Sequence, residues 1–213
     1  GGRALLITLP SNARFSDGAP LTAADVKRSL ERGIRLDREA PRAAFASIEG
    51  VAGLRFDGDE APDVSGIVVH SSTRLEIRLV EPLPIYPALL SDIGTGICRV
   101  THDADGAEVV IGTGPFRFAS ISKTRVVLAR NAEYWGGPPP AVDRVEFQPG
   151  LGVGEAAERL RAGELDVVRE LRPDEVERIL RDSRLRASLA ESPRKNTCFV
   201  VFNTNGVLAR PEL

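Results

Sequence analysis

Methionine is absent from the 213 residues, and there are only two cysteines, two histidines and one tryptophan. These shortages close off several classes of chemistry. His70 and His102 have no partner at a zinc-binding spacing such as H-E-x-x-H, and Cys98 and Cys198 do not stand at a metal-binding spacing either. No metal site or cofactor is therefore expected. The two cysteines leave two readings open, a disulfide in an oxidising compartment or a pair of buried free thiols. Lysine occurs only at 27, 123 and 195, and the net charge is -2. A nucleic-acid binder usually carries a basic excess or stripe, so that class is disfavoured. No apolar run approaches the roughly 18 residues that a membrane-spanning helix needs. The opening "GGRALLITLP" is too short and too weakly flanked for a signal peptide, and reads as a strand. With no methionine, the chain is expected to be an excerpt or a processed product.

Signs of catalysis are equally sparse. Neither Ser nor Cys sits in a G-x-S-x-G elbow. The "GTGP" at 112–115 lacks the Lys-Ser/Thr of a phosphate loop and runs into a strand, so it reads as a tight backbone crossing. Asp57 and Asp59 fit a solvated loop better than a glycosidase dyad. Aromatics make up 5% of the chain, which favours Tyr134 and Trp135 as anchors packing the "GGPPP" corner over a ligand stack. No catalytic residue is assigned.

What the chain does have is ordinary globular material, 42% hydrophobic and 27% charged, with length for one large domain or two small lobes. In "RFSDGAPLTAADVKRSLERGI" the Ser16-Asp17-Gly18 turn precedes Thr22, a helix N-cap, with Asp25 completing a variant capping box. Val26, Leu30, Gly33 and Ile34 share the inner face, and Lys27, Arg28, Glu31 and Arg32 lie elsewhere. A helical turn is expected over 42–48. Strands are expected at 67–70 and 75–80 across a Ser71-Ser72-Thr73 turn, with Leu75, Ile77 and Leu79 facing inward. A short helix follows at 85–90. Strands then begin after Gly114 and run over 124–131 and 142–147. A helix at 155–162 closes on Gly163, "ELDVV" reads as a strand, and Pro173 opens a helix to Leu180 with Val176, Ile179 and Leu180 inside. "CFVVFNTN" reads as a strand entering a loop. The sum is an α/β chain, a mixed sheet with covering helices.

Taken in order, four of these segments resemble the family 5 extracellular solute-binding proteins, the oligopeptide- and dipeptide-binding components of ABC importers. They are "FSDGAPLTAADVKRSLERG", "GTGPFRF…VVLARNAEYWGGPPPAVDRVEF", "AAERLRAGELDVV" and "CFVVFNTN". The resemblance implies a class II periplasmic-binding-protein-like lobe, truncated before most of the second lobe. It implies a partial domain over 1–213: a scaffold subdomain at 1–110, a central sheet portion at 111–198, and the start of the crossing at 199–213. It further implies a non-enzyme that binds peptides or similar small solutes by lobe closure and docks on a transporter permease, outside the cytoplasm. The cleft wall is placed at Gly112, Thr113, Gly114, Phe199 and Asn203. The alternative is the same fold as a ligand-sensing domain of an intracellular transcriptional regulator.

Overall fold

Leu75 and Ile77 alternate with Glu76 and Arg78, and this period of two places the first pair on one face of a strand. In the computed structural model that strand, β3 (Arg74–Arg78), is the middle of an antiparallel sheet. Its neighbours are β1 (Ala4–Thr8) and β2 (Ile67–Ser71), so the order is β1-β3-β2. Ile77 stands opposite both Leu5 and Ile67. The structure describes residues 2–37, 39, 41–54, 62–169, 171–187 and 189–190. The chain divides into two units, Gly1–Gly150 and Leu151–Leu213, each taken by itself below.

Helix α1 (Ala23–Leu36) covers the sheet of the first unit, burying Val26, Leu30 and Ile34 in one cluster with Ile67, Leu75 and Ile77. Its start follows the expected capping box. The Asp25 amide donates to Thr22 Oγ1 at 3.2 Å, and Asp25 Oδ2 accepts the Thr22 amide at 2.9 Å. The polar face departs from expectation at Glu31, which is buried. The segment entering β2 crosses α1 there, and its Val64 N–H needs an acceptor, which Glu31 Oε1 supplies at 2.9 Å. Lys27 lies 3.6 Å from the same carboxylate and 2.6 Å from Asp63.

Asp25 and Glu31 share a helix and titrate in opposite directions. Burial pushes the Asp25 carboxyl up, but Thr22 and Arg28 together outweigh it and hold it below its ordinary value. At Glu31 burial prevails over the Val64 N–H and Lys27, and the carboxyl is raised. The stability from Asp25 is therefore present above its ordinary value and lost as pH falls, whereas that from Glu31 is present in acid and lost as pH rises. We expect Asp25→Asn to cost about 1 kcal/mol at neutral pH, shrinking in acid. Glu31→Gln should remove a loss of stability that the wild type suffers just above the ordinary carboxylate range. Urea midpoints of both variants across that range test this, and parallel wild-type and Glu31→Gln profiles would refute the second half.

Two short helices, α2 (Ala43–Ala46) and α3 (Tyr86–Leu89), match expected turns. The Tyr86 hydroxyl donates to the Ala44 carbonyl at 3.1 Å, and burial pushes its pKa up to about 12. A 3-10 turn, Ile93–Thr95, leads to a hairpin the sequence reading did not anticipate: β4 (Cys98–His102) paired with β5 (Glu108–Gly112). Its turn is an aspartate device, with Asp103 Oδ1 accepting the amides of Asp105 and Ala107. The remaining sheet of this unit is β6 (Phe116–Ile121), β7 (Val126–Arg130) and β8 (Arg144–Phe147), in that order and antiparallel throughout.

The second unit contributes α4 (Val153–Arg161), α5 (Pro173–Arg181) and α6 (Ser183–Arg186). Gly163 closes α4 as expected, at φ +76°, with the Glu164 amide reaching the Arg159 carbonyl at 2.9 Å. Two expectations fail here. "ELDVV" forms no strand: no ladder partner stands beside it among the described residues, and Val167 is exposed. On α5, Ile179 is buried as expected but Leu180 is exposed, and Glu175 takes the inner position. Glu175 and Ile179 are four residues apart, on one face, while Leu180 is turned about 100° away from Ile179. The strand expected within 198–205 lies outside the described residues.

Candidate functional site

Three turn motifs of the first unit meet, the second of them being Gly112–Pro115 itself. The first is Phe15–Gly18. Phe15 is buried in the core cluster, its amide donates to the Ala19 carbonyl at 2.8 Å, and Gly18 takes φ +87°, a conformation costly for any residue with a Cβ. The tight turn aims the Ser16 N–H outward, and it donates to the Gly112 carbonyl at 2.9 Å. Arg99, the second residue of β4, fastens the same turn from a second direction. It pairs with Asp17, and its guanidinium lies 4.9 Å from the centroid of the Phe15 ring.

The third motif is Asn131–Trp135, just beyond β7. Asn131 is 1% exposed, and every polar group it carries is engaged. Its Nδ2 donates to the Gly114 carbonyl at 2.8 Å and its backbone N–H to the Pro115 carbonyl at 2.9 Å. Its Oδ1 accepts the Glu133 amide at 2.9 Å, and its carbonyl accepts the Tyr134 amide at 3.3 Å. Trp135 packs against the core cluster, and the Tyr134 ring lies against Gly136, where a Cβ would stand 2.7 Å from the hydroxyl. Both aromatics therefore pack the corner, as the sequence suggested.

Gly112–Pro115 is thus suspended between a backbone hook on one side and an amide hook on the other. Gly112 and Gly114 both avoid the left-handed region, and a Cβ built at either would meet nothing within 4 Å. Local sterics do not demand glycine at these two positions. The turn presents side-chain-free backbone beside the half-buried Thr113, an edge open to whatever approaches it. The charges around it are balanced in pairs, Asp17 with Arg99 and Glu133 with Arg14 at 3.8 Å. Such a surface offers backbone hydrogen bonds and shape. Phe199 and Asn203, the other expected wall residues, lie outside the described residues, as does Cys198. Cys98 is half-buried at the start of β4. Among the described residues no group of His, Cys, Asp and Glu could hold a metal ion, and no helix is long and apolar enough to cross a membrane. His70 is paired with Glu76 at 2.9 Å.

The sequence reading missed Arg99 and Asn131 as supports of this turn. Asn131 carried a faint signal, a polar amide directly after an apolar strand; nothing in the sequence marks Arg99.

All of residues 1–213 match the family model for bacterial extracellular solute-binding proteins, family 5. The chain belongs to this family. It is 26% identical to the periplasmic murein peptide-binding protein MppA of Escherichia coli, covering 92% of this chain and 38% of that protein. It is 28% identical to the probable D,D-dipeptide-binding periplasmic protein DdpA of the same organism, over 93% of this chain and 36% of that one. Among solved structures, the unliganded open form of MppA superposes with a TM-score of 0.70 at 24% identity, over 86% of this chain and 37% of that chain. A nickel ABC transporter structure from Bacillus halodurans gives 0.64 at 26% identity, over 85% of this chain and 34% of that chain. The fold is therefore that of a class II periplasmic-binding-protein lobe, and the chain spans about 36 to 38% of the length of these two curated relatives.

Proposed function

We propose that this family member supplies one wall of the ligand cleft in the substrate-binding component of an ABC-type importer, and that its ligands are peptides. The observation that carries the reading is the family match over the whole chain. The names of its relatives, which bind murein peptide and, in the probable case, D,D-dipeptide, supply the ligand class. On this reading the protein works outside the cytoplasm and releases its ligand unaltered. Closure of two lobes buries the solute, and the closed form is what a permease recognises. Peptides suit such a cleft because their backbones can be held by protein backbone groups and ordered water whatever their side chains.

Within the wall, Gly112, Thr113 and Gly114 are the contact points. The scaffold at 1–110, the central sheet portion at 111–198 and the crossing from 199 are the matching division of labour. Two glycines that the fold does not require, on either side of Thr113, suit close approach by a ligand backbone.

The test is the double variant Gly112→Ala/Gly114→Ala in the full-length gene product. Isothermal titration would use a panel of di-, tri- and tetrapeptides, together with a nickel–histidine complex as the rival solute. The variant should lose about tenfold or more in affinity for the best peptide. Its Tm should stay level or rise, since alanine at a compatible position restricts the unfolded chain. Unchanged affinity would remove the turn from the wall. Binding of the nickel complex and no peptide would overturn the ligand class.

A further inference from the structure

We infer that Asn131 is the positioning residue of this wall: its buried amide fixes where the Gly112–Pro115 turn stands. The inference rests on reading that turn as the ligand wall. The physical problem is set by the glycines. A Gly-Thr-Gly segment has more backbone freedom than a tripeptide of three residues with side chains, and neither glycine is held by a neighbouring group at its Cβ position. A flexible wall would have to be ordered by each ligand, at a cost in affinity. Something must therefore fix the turn in advance.

On the Gly112 side the constraint is all backbone: Gly112 closes the β4–β5 ladder opposite Cys98, and its carbonyl accepts the Ser16 N–H. The Gly114 side is held at Pro115 by the Asn131 backbone N–H, but at Gly114 itself by a side chain. Asn131 reaches across 17 positions to the Gly114 carbonyl at 2.8 Å. Its orientation is decided from behind, because Oδ1 is occupied by the Glu133 N–H at 2.9 Å, so Nδ2 must face the glycine. Burial strengthens both bonds and makes their loss costly. No other residue type has this pair of groups on so short a side chain. Aspartate keeps the acceptor for Glu133 but turns an oxygen toward the Gly114 carbonyl. Serine keeps a shorter acceptor and leaves the Gly114 carbonyl without its donor.

Asn131→Ser and Asn131→Asp would be compared with wild type and with Gly112→Ala/Gly114→Ala, all in the full-length gene product. Backbone order and hydrogen exchange at Thr113 and Gly114 would be read without ligand, and affinity would be read for the tightest peptide of the panel. We expect the order parameters at these two residues to fall from the rigid range near about 0.85 to below about 0.6, and affinity to fall about tenfold. A merely structural role would lower Tm without loosening these two residues in particular. Should the aspartate variant fail to fold, the serine variant decides. If Thr113 and Gly114 stay ordered in Asn131→Ser, the inference is overturned whatever happens to affinity. If they loosen and affinity holds while the glycine variant loses it, the positioning role fails and the wall stands. If the glycine variant also keeps its affinity, the wall reading fails and takes this inference with it.

Discussion

Gly66→Ala is expected to destabilise the Gly1–Gly150 unit by about 3 kcal/mol. Three backbone segments, at Glu49, Gly66 and Arg78, lie against one another there. The Gly66 amide donates to the Glu49 carbonyl at 3.1 Å, the Glu49 amide to Arg78 at 2.9 Å, and the Arg78 amide back to Gly66 at 2.8 Å. A Cβ on Gly66 would overlap the Glu49 carbonyl oxygen and stand 2.9 Å from Ile48 Cγ2 and 3.0 Å from the Glu49 nitrogen. Ile48 and Val64 are 0% exposed and Ile67 is 1% exposed, so the surroundings have nowhere to yield. Separating the strands would stretch the closed ring of hydrogen bonds in a place water cannot reach. The opposing gain from a less free unfolded chain is about 0.4–1 kcal/mol, too small to cancel this. For a unit of this size the Tm should fall by about 6–12 °C. Urea unfolding would measure the loss; under about 1 kcal/mol would mean the strands part without breaking their ladder. The contrast with Gly112 and Gly114 carries the functional argument. Gly66 is glycine because the fold leaves no room, whereas the turn glycines face open space.

That distinction was invisible in the sequence, where all three are simply glycine. What could be read was whatever local chemistry decides alone. Thr22 and Asp25 announce α1 because a cap is satisfied within four residues. The β2–β3 hairpin was legible because Leu75 and Ile77 alternate with polar neighbours around a short polar turn. The β4–β5 hairpin escaped because the alternation of Cys98 and Val100 with Arg99 and Thr101 is too short to stand out, and its strands are half-buried at best. "ELDVV" misled for the opposite reason: its composition suits a strand, but a strand exists only beside a partner. Glu31 was misplaced, and Glu175 not anticipated in the place given to Leu180, because a distant amide or a helix start needing an acceptor can draw a carboxylate inward against its hydropathy.

The candidate site divides in the same way. Each turn motif could be picked out singly, yet their convergence is tertiary: Arg99 meets Asp17 across 82 positions, and the Ser16 amide finds the Gly112 carbonyl. Neither link has a local signature. The family resemblance supplied the proposed placement of the wall, which residue patterns could not, and the structure adds the two hooks that hold the Gly112–Pro115 turn.

The last expectation concerns the far end of α1, where Gly33 and Phe45 form a coupled pair. Phe45→Ala should cost about 3–5 kcal/mol, because the ring is 1% exposed and its loss leaves a cavity. The ring is held on two sides. A Cβ on Gly33 would stand 2.7 Å from Phe45 Cζ and 3.3 Å from the Gly94 carbonyl oxygen. The Arg42 guanidinium lies 5.7 Å from the ring centroid and is itself fixed by Asp37 at 2.7 Å and by Asp92. Gly33→Ala alone gains about 1 kcal/mol of helix propensity but must push the ring, at about 1–3 kcal/mol, so a net loss near 1 kcal/mol is expected. In the double variant the new methyl group enters the space the ring has left. The propensity gain then survives and the clash with the ring does not, leaving only the 3.3 Å approach to the Gly94 carbonyl, so Gly33→Ala should become neutral or stabilising in the Phe45→Ala background. A double-mutant cycle in urea reads this as a coupling of about 1–2 kcal/mol. Additivity within about 0.5 kcal/mol would show that α1 moves away from the ring freely, and that Gly33 is not where the helix and Phe45 are fitted to each other.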